Sequence, residues 1–262
     1  IAFFAIIPPK AGLKTFSVLG PIYGILSTKS NLFTNTKLPL NRISHSWCVS
    51  LDEAKQIQQR LSGQVILKDD FEKVEKVAGV GVVFSKRQDE VFVGCVSFSF
   101  PELEIQKTAF YQEKVDFPYT PGFFAFSAGP AILFAIRKVK RPDLIMFPGR
   151  GIAHPRGLGL ASHLGVLLDL PTIACSKTPL WSDYPESSSK KGAHVFIEGQ
   201  DKKLIGAVVR TKEGVKSIFV TPGHKISIQT AVRVVLQCSP RYRMPEPLRH
   251  AHILAKKMAE TI

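Results

Sequence analysis

Residues 144–175 read LIMFPGRGIAHPRGLGLASHLGVLLDLPTIAC. The apolar run Leu144–Phe147 predicts a short strand that enters the loop Pro148-Gly149-Arg150-Gly151. A helix carrying Leu158, Ala161, Leu164 and Leu168 follows, and Thr172–Cys175 returns as a strand. Strand, helix and strand in this order argue for parallel pairing.

Upstream, the apolar pattern changes to short β-type segments at Val77–Phe84, Val91–Phe100 and Glu104–Gln112. Short loops between them predict an antiparallel meander. In the second segment Phe92, Gly94, Val96, Phe98 and Phe100 alternate with Val93, Cys95, Ser97 and Ser99, which predicts one apolar and one mixed face. Ser50 and Glu53 form an S-x-x-E capping box, so a helix is expected from there through Ala54, Ile57 and Leu61 to Gly63. After the turn Phe117–Gly122 an apolar helix extends to about Lys140. Late strands near Val195–Ile197, Leu204–Val209 and Ile218–Val220 precede two C-terminal helices. The expected class is α/β: an RNase H-like mixed sheet, antiparallel meander plus parallel strands, flanked by helices.

The chain has 262 residues, 35 Lys+Arg and 21 Asp+Glu, for a net charge of +14. At 45% hydrophobic and 21% charged it is too apolar for a disordered chain. No apolar run reaches the ~20 residues of a transmembrane helix. The four cysteines, Cys48, Cys95, Cys175 and Cys238, form no CxxC pair, which argues against a zinc ribbon and for reduced thiols. Residues 1–51 hold five basic and no acidic side chains, leaving +9 on the rest. Residues 1–50 are therefore set apart as a basic leader or extension, and 51–262 as the folded domain. Lack of acid and Ser/Thr content fit an organelle transit peptide, although Lys outnumbers Arg there; otherwise a cytoplasmic or nuclear location is expected.

The positive surplus points first to nucleic acid. Loops at strand C-termini form the ligand crevice of an α/β sheet. In Pro148–Arg156 two glycines let backbone N–H groups approach a ligand, and Arg150 and Arg156 suit phosphate. A tight strand–helix turn with surface arginines is the plainer account of such a loop. In Pro118-Tyr119-Thr120-Pro121-Gly122-Phe123-Phe124, prolines on both sides fix the direction of the Tyr119 ring, which suits it to wedge between bases or stack on one. A Tyr packed at a helix entry is the alternative.

From about Asp52 onward the sequence resembles the endonuclease V family. The matching segments are Val77-Ala78-Gly79-Val80, Phe117–Phe126, Gly151-Ile152-Ala153-His154-Pro155-Arg156, Gly159-Leu160-Ala161-Ser162-His163, Leu170-Pro171-Thr172-Ile173, Pro222-Gly223-His224 and Tyr242–Pro247. The resemblance implies recognition of deaminated adenine in DNA or RNA and metal-assisted cleavage of a phosphodiester one nucleotide 3′ of it. It implies Tyr119 as the wedge that fills the space left by a flipped base. It places Gly122, Phe124, Gly149, Gly151, His154 and Leu160 around the base, with Pro121 among the nucleic-acid-binding residues, Lys177 near the cleaved strand and His224 at the active site. Inosine-containing DNA or RNA is the implied partner, with no membrane, and the chain is expected to be a monomer.

The family's metal-binding carboxylates are replaced. Gly81, Ala128 and Pro148 stand where the family carries Asp, Glu and Asp, and Ser127 stands for an Arg. Mg²⁺ needs oxygen ligands, and these residues supply no side-chain oxygen. No cofactor is expected in this sequence, with Mg²⁺ implied only if the family activity is retained. Asp116 is the nearest substitute in sequence, whereas Asp143 is expected at the opposite end of the sheet and Asp89 in a solvated hairpin. Arg150, where the family often has His or Gln, is expected to put a cation near the vacated site. Three functions follow: an inosine-binding relative impaired in cleavage, an active endonuclease using other ligands, or a scaffold that binds nothing.

Overall fold

The computed structural model describes residues 45–180, 183–199 and 202–261. Eight strands form one mixed sheet in the order β3-β2-β1-β4-β5-β8-β7-β6. The strands β1 (Lys76–Phe84), β2 (Glu90–Ser99) and β3 (Ile105–Lys114) are the antiparallel meander. Next to it, β4 (Leu144–Pro148) runs parallel to β1, and β5 (Thr172–Ser176) parallel to β4. The remaining strands β6 (His194–Glu198), β7 (Leu204–Val209) and β8 (Ile218–His224) complete the sheet, with β8 antiparallel to β5. This is the mixed RNase H-like sheet that the sequence pattern predicts.

Helices cover both faces. The helices α1 (Leu51–Ser62), α2 (Phe124–Arg137) and α3 (Leu160–Leu168) lie on one, with α4 (Ile228–Gln237) and α5 (Glu246–Thr261) on the other. The α1 cap forms as expected: the Ser50 Oγ accepts from the Glu53 amide, and the Glu53 carboxylate accepts from the Ser50 amide. Along β1, Ala78 and Val80 face the α2–α3 core, while Val77 faces the opposite core with Leu144 and Met146.

The strand β2 departs from the expected one-sided pattern. Val93 and Cys95 are buried in the α2 core, and Val96 and Phe98 pack on Ala251 of α5. A helix on each face buries both, so the face read as mixed is also core. Its one deeply buried polar group, the Ser97 hydroxyl, donates to the Lys107 carbonyl.

Close helix–sheet contact is set by glycine. A Cβ at Gly79 would overlap the Pro247 backbone, and one at Gly81 the Ala251 carbonyl and the His252 amide. The helix α5 thus rests directly on the β1 backbone. Residues 45–50, assigned to the leader from sequence, also belong to the packed domain. Trp47 and Val49 pack against Phe117, Phe123 and Phe126, and Trp47 stacks on His163 with ring centroids 5.5 Å apart. The rest of the leader lies outside the described residues.

Candidate nucleic-acid interface

The parallel strands β4 and β5 end level with one another, with Pro148 beside Cys175 and the Gly149 amide donating to the Cys175 carbonyl. From there the chain folds back onto the sheet: the Gly151 amide donates to the Thr221 Oγ1 (2.7 Å) and the Ile152 amide to the Pro222 carbonyl. The start of α3 closes the loop, as the Gly159 amide donates to the Gly151 carbonyl and the Ala161 amide to the Arg150 carbonyl.

Between this loop and the Tyr119 turn lies a cavity of about 600 Å³, within the usual range for ligand sites. Tyr119, Pro121, Gly122, Phe124, Gly149, Arg150, His154, Arg156 and Leu160 line it, as do Pro148 and Gln58. The structure brings together nearly every residue that the sequence pointed to for binding. Gly151 stands behind the wall instead, where its lack of a side chain allows contact with Pro222 of β8.

One carbonyl organises the cavity. Gly122 sits in the left-handed region at φ 83°, and its oxygen faces Gln58, His154 and Arg156. It accepts from Gln58 Nε2 at 2.9 Å, His154 Nε2 at 3.1 Å and Arg156 Nη2 at 2.9 Å. The Arg156 Nε also donates to Gln58 Oε1 at 2.5 Å, and its guanidinium lies 4.4 Å from the Phe123 ring centroid. On the other side of its ring, His154 Nδ1 accepts from the Arg156 amide. These partners require a neutral His154 with its proton on Nε2. Burial and the neighbouring Arg156 charge push its pKa down to about 4.

Gln58 was not named as a site residue from sequence. Its signal was a polar side chain within the apolar stripe Ala54, Ile57, Leu61, which places an amide on the buried face of α1. Tyr119 is 43% exposed at the cavity mouth, its ring edge-on to Phe84 and Phe124.

His224 is not brought to this cavity. It pairs with Thr172 at the start of β5, whereas the cavity opens at the end of β5, four steps of about 3.3 Å away. The reason is strand direction: β8 runs antiparallel to β5, so its last residue reaches the end of the sheet opposite the cavity. There His224 is buried, its Nδ1 accepts from the Ile66 amide, and its Nε2 lies 3.7 Å from Asp169. Burial lowers its pKa, with Asp169 opposing.

A different histidine lies near the expected metal positions. Gly79 pairs with Met146, and the same register carried two residues on sets Gly81 level with Pro148. His252 of α5 lies against Gly81. Burial, followed by the charges of Lys177 and Lys256, lowers the His252 pKa. Lys177 therefore does reach this end of the sheet, just past β5.

Carboxylate-held Mg²⁺ does not fit these residues. Gly81 is covered by α5, Ala128 is fully buried in the apolar α2–α3 core, and Pro148 lines the cavity. No Asp or Glu lines the cavity, and among the described residues no three His, Cys, Asp or Glu are grouped to hold a metal ion. Asp116 is exposed and outside the cavity wall. Asp143 is at the far sheet end, where its carboxylate accepts from the Glu75 and Lys76 amides. Asp89 accepts from Ser85 in the β1–β2 turn.

Residues 59–253 match the family model described as Endonuclease V. Endonuclease V of Dictyoglomus thermophilum is 43% identical over 207 residues, covering 79% of this chain and 90% of that protein. The Nostoc sp. endonuclease V is 44% identical over 213 residues, covering 80% and 96%. Among solved structures, endonuclease V from Streptomyces avermitilis is similar with a TM-score of 0.78 at 34% identity, covering 84% of this chain and 97% of that one. Ciona intestinalis endonuclease V, in complex with a 24mer DNA containing an inosine followed by a ribo-adenosine, is similar with a TM-score of 0.71 at 28% identity, covering 80% and 98%. Among the described residues no helix is long and apolar enough to cross a membrane. With its motifs gathered around one cavity and these likenesses spanning most of its length, the chain belongs to the endonuclease V family.

Proposed function

We propose that this protein recognises inosine or deoxyinosine in nucleic acid and holds it without cutting the strand. The observation that carries this reading is a divided site. The cavity and its Tyr119 mouth are formed, with room for an extruded base, while Gly81, Ala128 and Pro148 are absorbed into packing and cavity wall. The Ciona intestinalis relative bound to inosine-containing DNA supports the choice of ligand. An extruded base enters between the Tyr119 turn and the His154 loop, where backbone groups and apolar walls read its edge and face. Tyr119 fills the gap that the base leaves. Neutral His154 and Arg156 brace the turn and are not needed as acid or base.

Two measurements test this. Inosine-containing DNA and RNA oligonucleotides are to bind more tightly than their adenine counterparts, and neither is to be nicked in Mg²⁺ or Mn²⁺. Equal affinity removes the inosine claim. Nicking establishes a working endonuclease with other ligands, and no binding at low salt leaves a scaffold.

A further inference from the structure

Two of the three basic side chains lining the cavity are fully engaged. His154 uses both ring nitrogens, on the Gly122 carbonyl and the Arg156 amide. Arg156 is held by Gln58, the Gly122 carbonyl and the Phe123 ring. Arg150 differs. Its carbonyl is used by Ala161, but among the described residues its guanidinium has no hydrogen-bond or ion-pair partner. It is half-buried in a wall that contains no carboxylate.

A guanidinium in such a place is suited to an anion. It offers a planar fork of donors that matches two oxygens of a phosphate. Its position adds to this. Arg150 follows Gly149, whose φ of 94° turns the chain directly after Pro148, one of the positions where the family resemblance implies a carboxylate. Lys177 lies just past Cys175, the β5 partner of Pro148. At this sheet end the chain presents fixed positive charge where carboxylates would need a cation to offset a phosphate.

We propose that Arg150 binds a phosphate of the nucleic acid directly, so that the site takes its ligand without a divalent cation. The inference deepens the inosine-binding reading and rests on it for the identity of the polymer. Phosphate contact is the expected use of a free arginine at a nucleic-acid surface, and it sets register without reading sequence.

The test uses the full chain, a single-stranded inosine oligonucleotide, and the variants Arg150→Gln and Arg150→Lys. Affinity is measured over a range of salt, in EDTA and again in Mg²⁺. The wild-type chain is expected to bind equally well, within about twofold, in both. Arg150→Gln is expected to lose about tenfold in affinity and to lower the slope of log affinity against log salt by about 0.7, the value for one single-strand phosphate. Arg150→Lys keeps the slope, and a melting curve for each variant checks folding. Should Arg150→Gln fail to fold, a wild-type requirement for Mg²⁺, or a lowered slope in a folded Arg150→Lys, overturns the proposal. A folded Arg150→Gln with wild-type affinity and slope also overturns it. An inosine preference that survives with no Arg150 effect defeats this inference alone. Loss of preference with the Arg150 effect intact defeats the inosine reading alone.

Discussion

The backbone of Ala251 lies against Gly81 so closely that a Cβ at position 81 would overlap the Ala251 carbonyl. Restoring a carboxylate there thus means moving α5. Gly81→Asp is expected to destabilise the domain by about 1–3 kcal/mol, the usual range for overpacking. At this chain size each kcal/mol is about 2–4 °C in melting temperature. No nicking of inosine DNA is expected to appear. A Gly81→Asp protein that melts like the wild type and cuts in Mn²⁺ contradicts the packing argument.

The His45 and His163 rings meet Nε2 to Nε2 at 2.7 Å, so they share one proton between them. Burial depresses both pKa values, that of His163 well below 6.5, and the His163 Nδ1 is buried without a partner. A histidine whose folded pKa is lowered stabilises the fold fully above its unfolded value. That contribution is lost as pH falls below about 6.5, because the unfolded state then binds more protons. His154, at about 4, acts in the same direction. Asp69 and Asp169, also lowered, lose their contributions only below the ordinary aspartate range. The urea midpoint is therefore expected to drop between pH 6.5 and 4.5, and less steeply in His163→Gln. A flat wild-type midpoint over that range rules this out.

Gln58→Leu removes the amide that bridges Gly122 and Arg156. Hydrogen bonds to charged groups contribute about 1.5–3 kcal/mol, so a loss of that size is expected by urea denaturation. Affinity for the inosine oligonucleotide is expected to fall as well, since the Tyr119 turn loses its brace. Unchanged affinity would show that the turn holds its place without α1.

Tyr119→Ala separates binding from folding. The ring is exposed, so stability is expected to stay within about 0.5 kcal/mol. Base–aromatic stacking contributes about 1–3 kcal/mol, and single-strand affinity is expected to drop accordingly in an anisotropy titration. Equal affinity would remove Tyr119 from the interface.

Local patterns were readable in the sequence. Ser50 and Glu53 fix the start of α1 because a capping box involves only neighbours. The Tyr119 turn and His154 loop could be named because Gly and Pro constrain the backbone wherever they occur. Non-local choices were not readable. Nothing in Ile218–Val220 tells which way β8 runs beside β5, and that direction decides where His224 lies. His252 escaped notice for a related reason: it meets Gly81 only because α5 crosses β1, a contact that no spacing encodes. The expected mixed face of β2 was core because α2 covers it, while α5, from a distant part of the chain, covers the opposite face.

The Gly122 carbonyl gathers Gln58, His154 and Arg156 from segments far apart in the chain. Such a junction exists only when the whole domain is assembled, so a partly unfolded molecule has no cavity to offer. Ligand binding and global folding are then one linked equilibrium. A ligand at a hundred times its Kd raises the unfolding free energy by about 2.7 kcal/mol. The melting temperature thereby becomes an assay: oligonucleotides can be ranked by the heat the chain withstands in their presence, with no bond cut.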